Sequence, residues 1–128
     1  MLLFELADNT TMIIREFVKF AANRLRLKKI PGIKIIRDSD YSASNHTFGH
    51  YDPNTGKILV QIQNRQIVDI LRTLAHELVH AGQDGLGRLK PESGETGSRE
   101  ENQANALAGV LMREFTKKHP ELFGRIPE

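Results

Sequence analysis

Between residues 66 and 83, apolar side chains recur at Ile67, Ile70, Leu71, Leu74 and Leu78, the spacing of a helix that buries one face. At about 100° per residue, His76 and His80 fall nearly opposite that stripe. A chain built round this segment must pack one side of the helix into a core and turn the other, with two imidazoles, toward a cleft. Gly82, Gly85 and Gly87 are placed to stop the helix.

The remaining segments supply what such a helix packs against. Ile14, Phe17, Val18, Ala21 and Leu25 recur at helical spacing and predict a first helix over about residues 10–28, ended by Pro31-Gly32. Ile33-Lys34-Ile35-Ile36 reads as a short strand. Residues 47–51 and 57–63 flank Asp52-Pro53-Asn54-Thr55-Gly56, a tight-turn composition, and predict an antiparallel hairpin. In the second strand Ile58, Val60 and Ile62 share an inward face, and Lys57, Leu59, Gln61 and Gln63 share the other. A last helix is expected over about residues 98–118, with Ala104, Leu107, Ala108, Leu111 and Phe115 inward, before Pro120 and a C-terminal clasp at Leu122-Phe123. The expectation is one α+β domain over residues 1–128, with an N-terminal helix, a small antiparallel or mixed sheet, the histidine helix and a final helix.

Composition narrows the chemistry. The chain has 39% hydrophobic and 27% charged residues, as a globular domain does. It has no cysteine, so disulfides and thiolate metal sites are excluded, and a metal has to be held by His and carboxylate. No run approaches a membrane span, and the start, Met1-Leu2-Leu3-Phe4 followed by Glu5 and Asp8, is too short and too acidic for a signal peptide. A cytoplasmic location is expected. The net charge is only +2. Its densest cluster, Arg24, Arg26, Lys28 and Lys29, lies at the end of the first helix, where cations complement the dipole, and has no interleaved aromatics. Nucleic acid is therefore not the expected partner.

His76-Glu77-Leu78-Val79-His80 places two ring nitrogens one helical turn apart, where both reach one zinc ion. Glu77, at the edge of that face, can contact a metal-bound water without ligating the metal. Zinc lowers the pKa of such a water toward about 7, and Glu77 is the expected general base for attack on a peptide carbonyl. The third ligand is not the His of the longer metzincin pattern, because Gln83 and Leu86 stand where Gly and His are required. Glu95, Glu100 and Glu101 are the available carboxylates. Glu101 is favoured, on the side of its helix that carries Ala104 and Ala108, whose small side chains allow the close packing a metal–oxygen bond needs. Asn105, one turn later, is expected to accept a hydrogen bond from a ligand imidazole. Against this, Ser98-Arg99-Glu100-Glu101 also has the spacing of a capping box, in which Glu101 would serve only the helix N-terminus.

These motifs resemble the gluzincin class of zinc metallopeptidases. His76-Glu77-x-x-His80 and the segment Glu101-Asn102-Gln103-Ala104-Asn105-Ala106-Leu107-Ala108 carry the likeness, and the second also looks like the Glu-x-x-Ala-Asn-x-x-Ala pattern of ImmA/IrrE-type regulatory peptidases. The chain is also similar, over about residues 33–124, to small metallopeptidase-like proteins of tailed bacteriophages. That likeness rests on Phe48-Gly49-x-Tyr51-Asp52-Pro53, on residues 69–80 and on Gly94-Glu95-Thr96-Gly97-Ser98. The resemblance implies a minimal zincin-like domain, one zinc ion on His76, His80 and Glu101, and Glu77 as base. It also implies a peptide substrate laid antiparallel along an edge strand, here assigned to residues 57–63, and, for a phage protein, the host-cell cytoplasm. Asn105 stands where thermolysin has Asp, and that enzyme's large C-terminal domain has no counterpart.

A second donor for the developing oxyanion is sought among His46, His50 and Tyr51, with Tyr41 and Arg99 behind them. The competing expectations are a regulatory module that keeps the metal for stability, and a nucleic-acid accessory protein using Lys28 and Lys29.

Overall fold

Ile70, Leu71, Leu74 and Leu78 are each no more than 2% exposed, so the apolar stripe is indeed the buried side of its helix. The computed structural model describes residues 3–38, 40, 47–87 and 98–120, residues 3–8 by their backbone alone. The elements run α1 (Leu3–Arg24), β1 (Gly32–Ile36), β2 (Gly49–Asp52), β3 (Lys57–Gln61), α2 (Ile67–Gly85) and α3 (Arg99–Lys118). This is a small α+β fold with a three-stranded sheet. The proposed clasp at Leu122-Phe123 lies outside the described residues.

α1 begins earlier than its apolar periodicity and stops at Arg24 rather than near Lys28. The chain turns out of the helix at Arg26, whose φ is 58°, while Leu27 N–H bonds back to the Ala22 carbonyl. Lys28 and Lys29 therefore stand beyond the helix, exposed. Arg24 is paired with Glu114 of α3 at 2.9 Å, an exposed link worth about 0–1 kcal/mol.

Asp52-Pro53-Asn54-Thr55-Gly56 makes the predicted hairpin turn. Gly56 adopts φ 70°, which its missing Cβ permits, and its N–H bonds the Asp52 carbonyl at 2.8 Å. β2 and β3 pair antiparallel from Asp52 opposite Lys57 to Gly49 opposite Val60. β1 joins the other side of β3 in parallel, so the order is β1-β3-β2 and the sheet is mixed. β3 is thus the central strand. The assignment of residues 57–63 to a substrate-binding edge is corrected by this order: both sides of β3 are already hydrogen-bonded to neighbours, and β2 is the edge beside α2. Ile58 and Val60 are fully buried as expected, but Gln61 on the supposed outer face is only 1% exposed. Its amide folds back onto the backbone of Gln63, donating to that carbonyl at 3.2 Å, so the polar group is satisfied where the sheet is covered.

α2 packs against α3, α1 and the sheet at once. α1 supplies Ile14, Phe17, Val18 and Ala21 to the core; α3 supplies Ala104, Ala108, Leu111, Met112 and Phe115. Phe17 and Phe115 meet edge to face with centroids 5.0 Å apart, a favoured aromatic geometry. Ala104 and Ala108 are 0% and 3% exposed, and small residues there let the α2 and α3 axes approach closely.

Candidate metal centre and its surroundings

Ser98 caps α3 by accepting a 3.0 Å bond from Glu101 N–H. The cap fixes where the helix starts, and the first turn places the Glu101 carboxylate against α2. Its Oε1 lies 2.7 Å from His76 Nε2 and its Oε2 lies 3.1 Å from His80 Nε2. The two imidazoles stand one turn apart with centroids separated by 4.8 Å. Ligand atoms of His76, His80 and Glu101 all lie within 4.8 Å of one another, a group that can hold a metal ion. The capping and ligand readings of Glu101 are therefore compatible: its backbone takes the cap and its carboxylate faces the histidines. His80 is buried, because α3 covers this part of α2, so the face opposite the stripe opens to a groove at His76 and is closed at His80.

A buried amide fixes the protonation of the inner histidine. Gln83 is 3% exposed, and its Nε2 donates to the Glu100 backbone carbonyl at 3.0 Å. A carbonyl only accepts, so the NH₂ of Gln83 must face it and Oε1 must face the other way. That oxygen sits 2.7 Å from His80 Nδ1. His80 therefore carries its proton on Nδ1, and in the neutral ring Nε2 presents a lone pair to a Glu101 oxygen. Two acceptors at this separation repel unless a cation lies between them, either a proton or a metal ion. A neutral-nitrogen, carboxylate donor set of two His and one Glu is the kind zinc takes, and the Nδ1–H bond is the usual way a ligand imidazole is held. The residues present could hold a metal ion.

Asn105 does not take the role expected of it. It is exposed, on the outer side of α3, while Gln83 holds the imidazole from within α2 itself. The i,i+3 spacing from His80 to Gln83 and the burial of an amide at that point are the signal that locates it.

Glu77 lies beside this group. Gly49 of β2 approaches α2 so closely that a Cβ there would stand 2.5 Å from Thr73 Cγ2 and 3.7 Å from Glu77 Cγ. Because only glycine fits, the β2 edge comes within reach, and Tyr51 N–H donates to Glu77 Oε1 at 2.9 Å. Burial pushes the Glu77 carboxyl above its ordinary range; His76, His80, the Tyr51 N–H and His50 pull it back, less strongly. His76 and Glu77 line an open groove of about 920 Å³, bordered by β2 and by the first half of α2.

No family model, curated protein or solved structure matches the chain. No helix of the described residues is long and apolar enough to cross a membrane.

The other candidates are placed as follows. The Tyr51 hydroxyl donates to Asp84 at 2.6 Å, and Tyr51 lines a second cavity with Gln83 and Asp84 rather than the groove of His76 and Glu77. It is thus committed as a link between β2 and the end of α2; its backbone, not its ring, serves the site. His50 is exposed on β2 and reaches Glu77 only through its charge. Arg99 is exposed at the start of α3; His46 and Tyr41 lie outside the described residues.

Burial, then the Asp84 hydrogen bond and charge, push the Tyr51 hydroxyl up to about 12 from 10.0. A raised folded pKa means its contribution to stability is complete below pH 10 and is lost as pH rises toward 12. Urea midpoints should therefore fall across that window in the wild type, and Tyr51→Phe should flatten the fall while lowering stability at neutral pH. An identical alkaline profile in both proteins would remove this link from the account.

Proposed function

We propose that the chain is a zinc-dependent metallopeptidase that hydrolyses a peptide bond in a protein or peptide substrate. The observation that supports this reading most is the convergence of His76, His80 and Glu101 with an adjacent half-buried carboxylate, Glu77, on the wall of a groove. A metal site kept for stability alone gives no reason to hold a further carboxylate at its side.

Zinc, when bound, would make a water acidic and polarise the scissile carbonyl. His76 and His80 would hold the ion, and Glu101 would complete the set from α3. The Tyr51 N–H occupies Glu77 Oε1, which leaves Oε2 to take the water's proton. Burial lowers the cost of holding that proton, and the same oxygen then delivers it to the leaving amide nitrogen. The substrate lies beside β2, the sheet edge next to α2. Because the Tyr51 N–H donates to Glu77, and the Thr47 hydroxyl accepts from the Gly49 N–H and donates to the Gly49 carbonyl, a strand pairing with this edge would displace that hydroxyl.

Chelator-stripped protein is expected to lose hydrolysis of unfolded casein and to regain it on addition of one equivalent of zinc. Unchanged hydrolysis by protein shown to be metal-free would reject the reading.

A further inference from the structure

The groove holds a cation that the proposed chemistry does not use. Arg65 is fixed on three sides: Nη1 donates to the Gln61 carbonyl at 3.0 Å, and Nη2 donates to the Asp69 carbonyl at 3.0 Å and to Thr73 Oγ1 at 2.8 Å. Its guanidinium stacks 4.2 Å from the ring centroid of Phe48, itself 49% exposed at the groove wall. None of these partners carries a formal charge. The nearby Asp69 carboxylate is turned to Arg72 at 3.9 Å. Among the described residues the guanidinium thus has three neutral oxygens, an aromatic face and no carboxylate in contact. Burial lowers its affinity for the proton, against a smaller opposing pull from Asp69, as expected of a cation short of counter-charge.

Position gives this cation a use. Thr73, which Arg65 grips, lies one helical turn before His76 and Glu77 on α2, and all of them line one groove. One turn is about 5.4 Å, the span of roughly two residues of extended chain. A peptide laid on the β2 edge therefore presents a side chain, or its terminus, to Arg65 within about two residues of the scissile bond.

We propose that Arg65, held against Phe48, is a specificity residue that binds a carboxylate of the substrate, so that the preferred substrates carry Asp, Glu or a free C-terminus beside the cleaved bond. This rests on the peptidase reading for its position relative to the chemistry, but carboxylate binding itself does not require turnover. A guanidinium already immobilised by its neighbours loses little further freedom on binding. With both Nη2 hydrogens committed, it keeps the Nε–H and one Nη1–H, either of which can give a single charge-assisted bond to a carboxylate oxygen.

The test uses zinc-loaded Glu77→Gln protein and fluorescent acetylated peptides in which one Glu or one Gln is walked along an otherwise uncharged chain. Each is made as free acid and as C-terminal amide, and Kd is read by anisotropy at about 0.1 M salt, where screening acts over about 10 Å. Glu at one position is expected to tighten binding about tenfold or more over Gln, the range of a charge-assisted bond. A preference for free acid over amide instead assigns the carboxylate to the chain terminus and also supports the subsite. Arg65→Gln should bring the paired peptides to within about twofold, and Phe48→Leu should erode the difference by freeing the guanidinium. Should Arg65→Gln fail to fold, the Glu/Gln and acid/amide comparisons on the parent protein decide alone. Ratios within twofold for every pair overturn the proposal. Hydrolysis of the same peptides by the protein with Glu77 intact separates the two claims: cleavage without acidic preference sinks the subsite alone, and selective binding without cleavage sinks the peptidase reading alone.

Discussion

Glu77→Gln is expected to lower peptide hydrolysis by about 10²–10⁴-fold, the usual contribution of a positioned general base, while metal content stays unchanged. Gln keeps the size of Glu and an oxygen to accept the Tyr51 N–H now bonded at 2.9 Å, so the contact between β2 and α2 survives. What is lost is the capacity to take a proton. The substitution also removes a charge whose burial raises the carboxyl's pKa, and the variant should melt no lower than the parent. Loss of activity with undiminished stability and full metal is a signature that general misfolding does not produce. Equal rates on casein would remove Glu77 from the mechanism.

The second large effect is expected at Gln83. Replacement by Leu keeps a buried side chain of similar bulk but removes the acceptor 2.7 Å from His80 Nδ1 and the donor to the Glu100 carbonyl. Zinc affinity should fall by about 10–100-fold, as when the outer partner of a ligand imidazole is removed. Stability of the metal-free protein should drop by about 1–3 kcal/mol for the buried polar groups left without partners. Gln83→Glu separates the two roles. It restores an acceptor for His80 and so should recover most of the zinc affinity, but it places a second carboxylate oxygen against the Glu100 carbonyl and should not recover the stability. Competition with a chelating dye measures the affinities, and urea unfolding the stabilities. A Gln83→Leu protein that binds zinc as tightly as the parent would show that His80 needs no such support.

The parts of this molecule that were legible in the sequence are those set by local periodicity. The Ile70, Leu71, Leu74, Leu78 stripe, the Ser98 cap and the hairpin turn at residues 52–56 each depend on neighbours a few positions away, and each stands as expected. The placement of Glu101 followed from the same logic, because a capped first turn on a helix with alanines at 104 and 108 has one direction in which to present its carboxylate. What was not legible depends on partners distant in the chain. β3 is central because β1 returns to it in parallel, and nothing within residues 57–63 records that choice; alternation of side chains describes the faces of a strand, not its edges. Asn105 and Gln83 were both one turn from a proposed ligand, and only the rotation of α3 about its axis decides which amide is buried. The setting of the Arg65 guanidinium likewise depends on the groove and on the ring of Phe48, which no local pattern around residue 65 records.

The His76, His80 and Glu101 group is the foundation of the functional reading, and elemental analysis addresses it most directly. Protein purified without added metal, followed by titration with zinc and dialysis, is measured beside Glu101→Ala, with circular dichroism to establish that both are folded. About one zinc per chain is expected in the parent, as one His₂-carboxylate site holds, and a folded but zinc-free variant. Zinc retained in equal amount by both proteins, or a folded parent that takes up none, would contradict the functional reading.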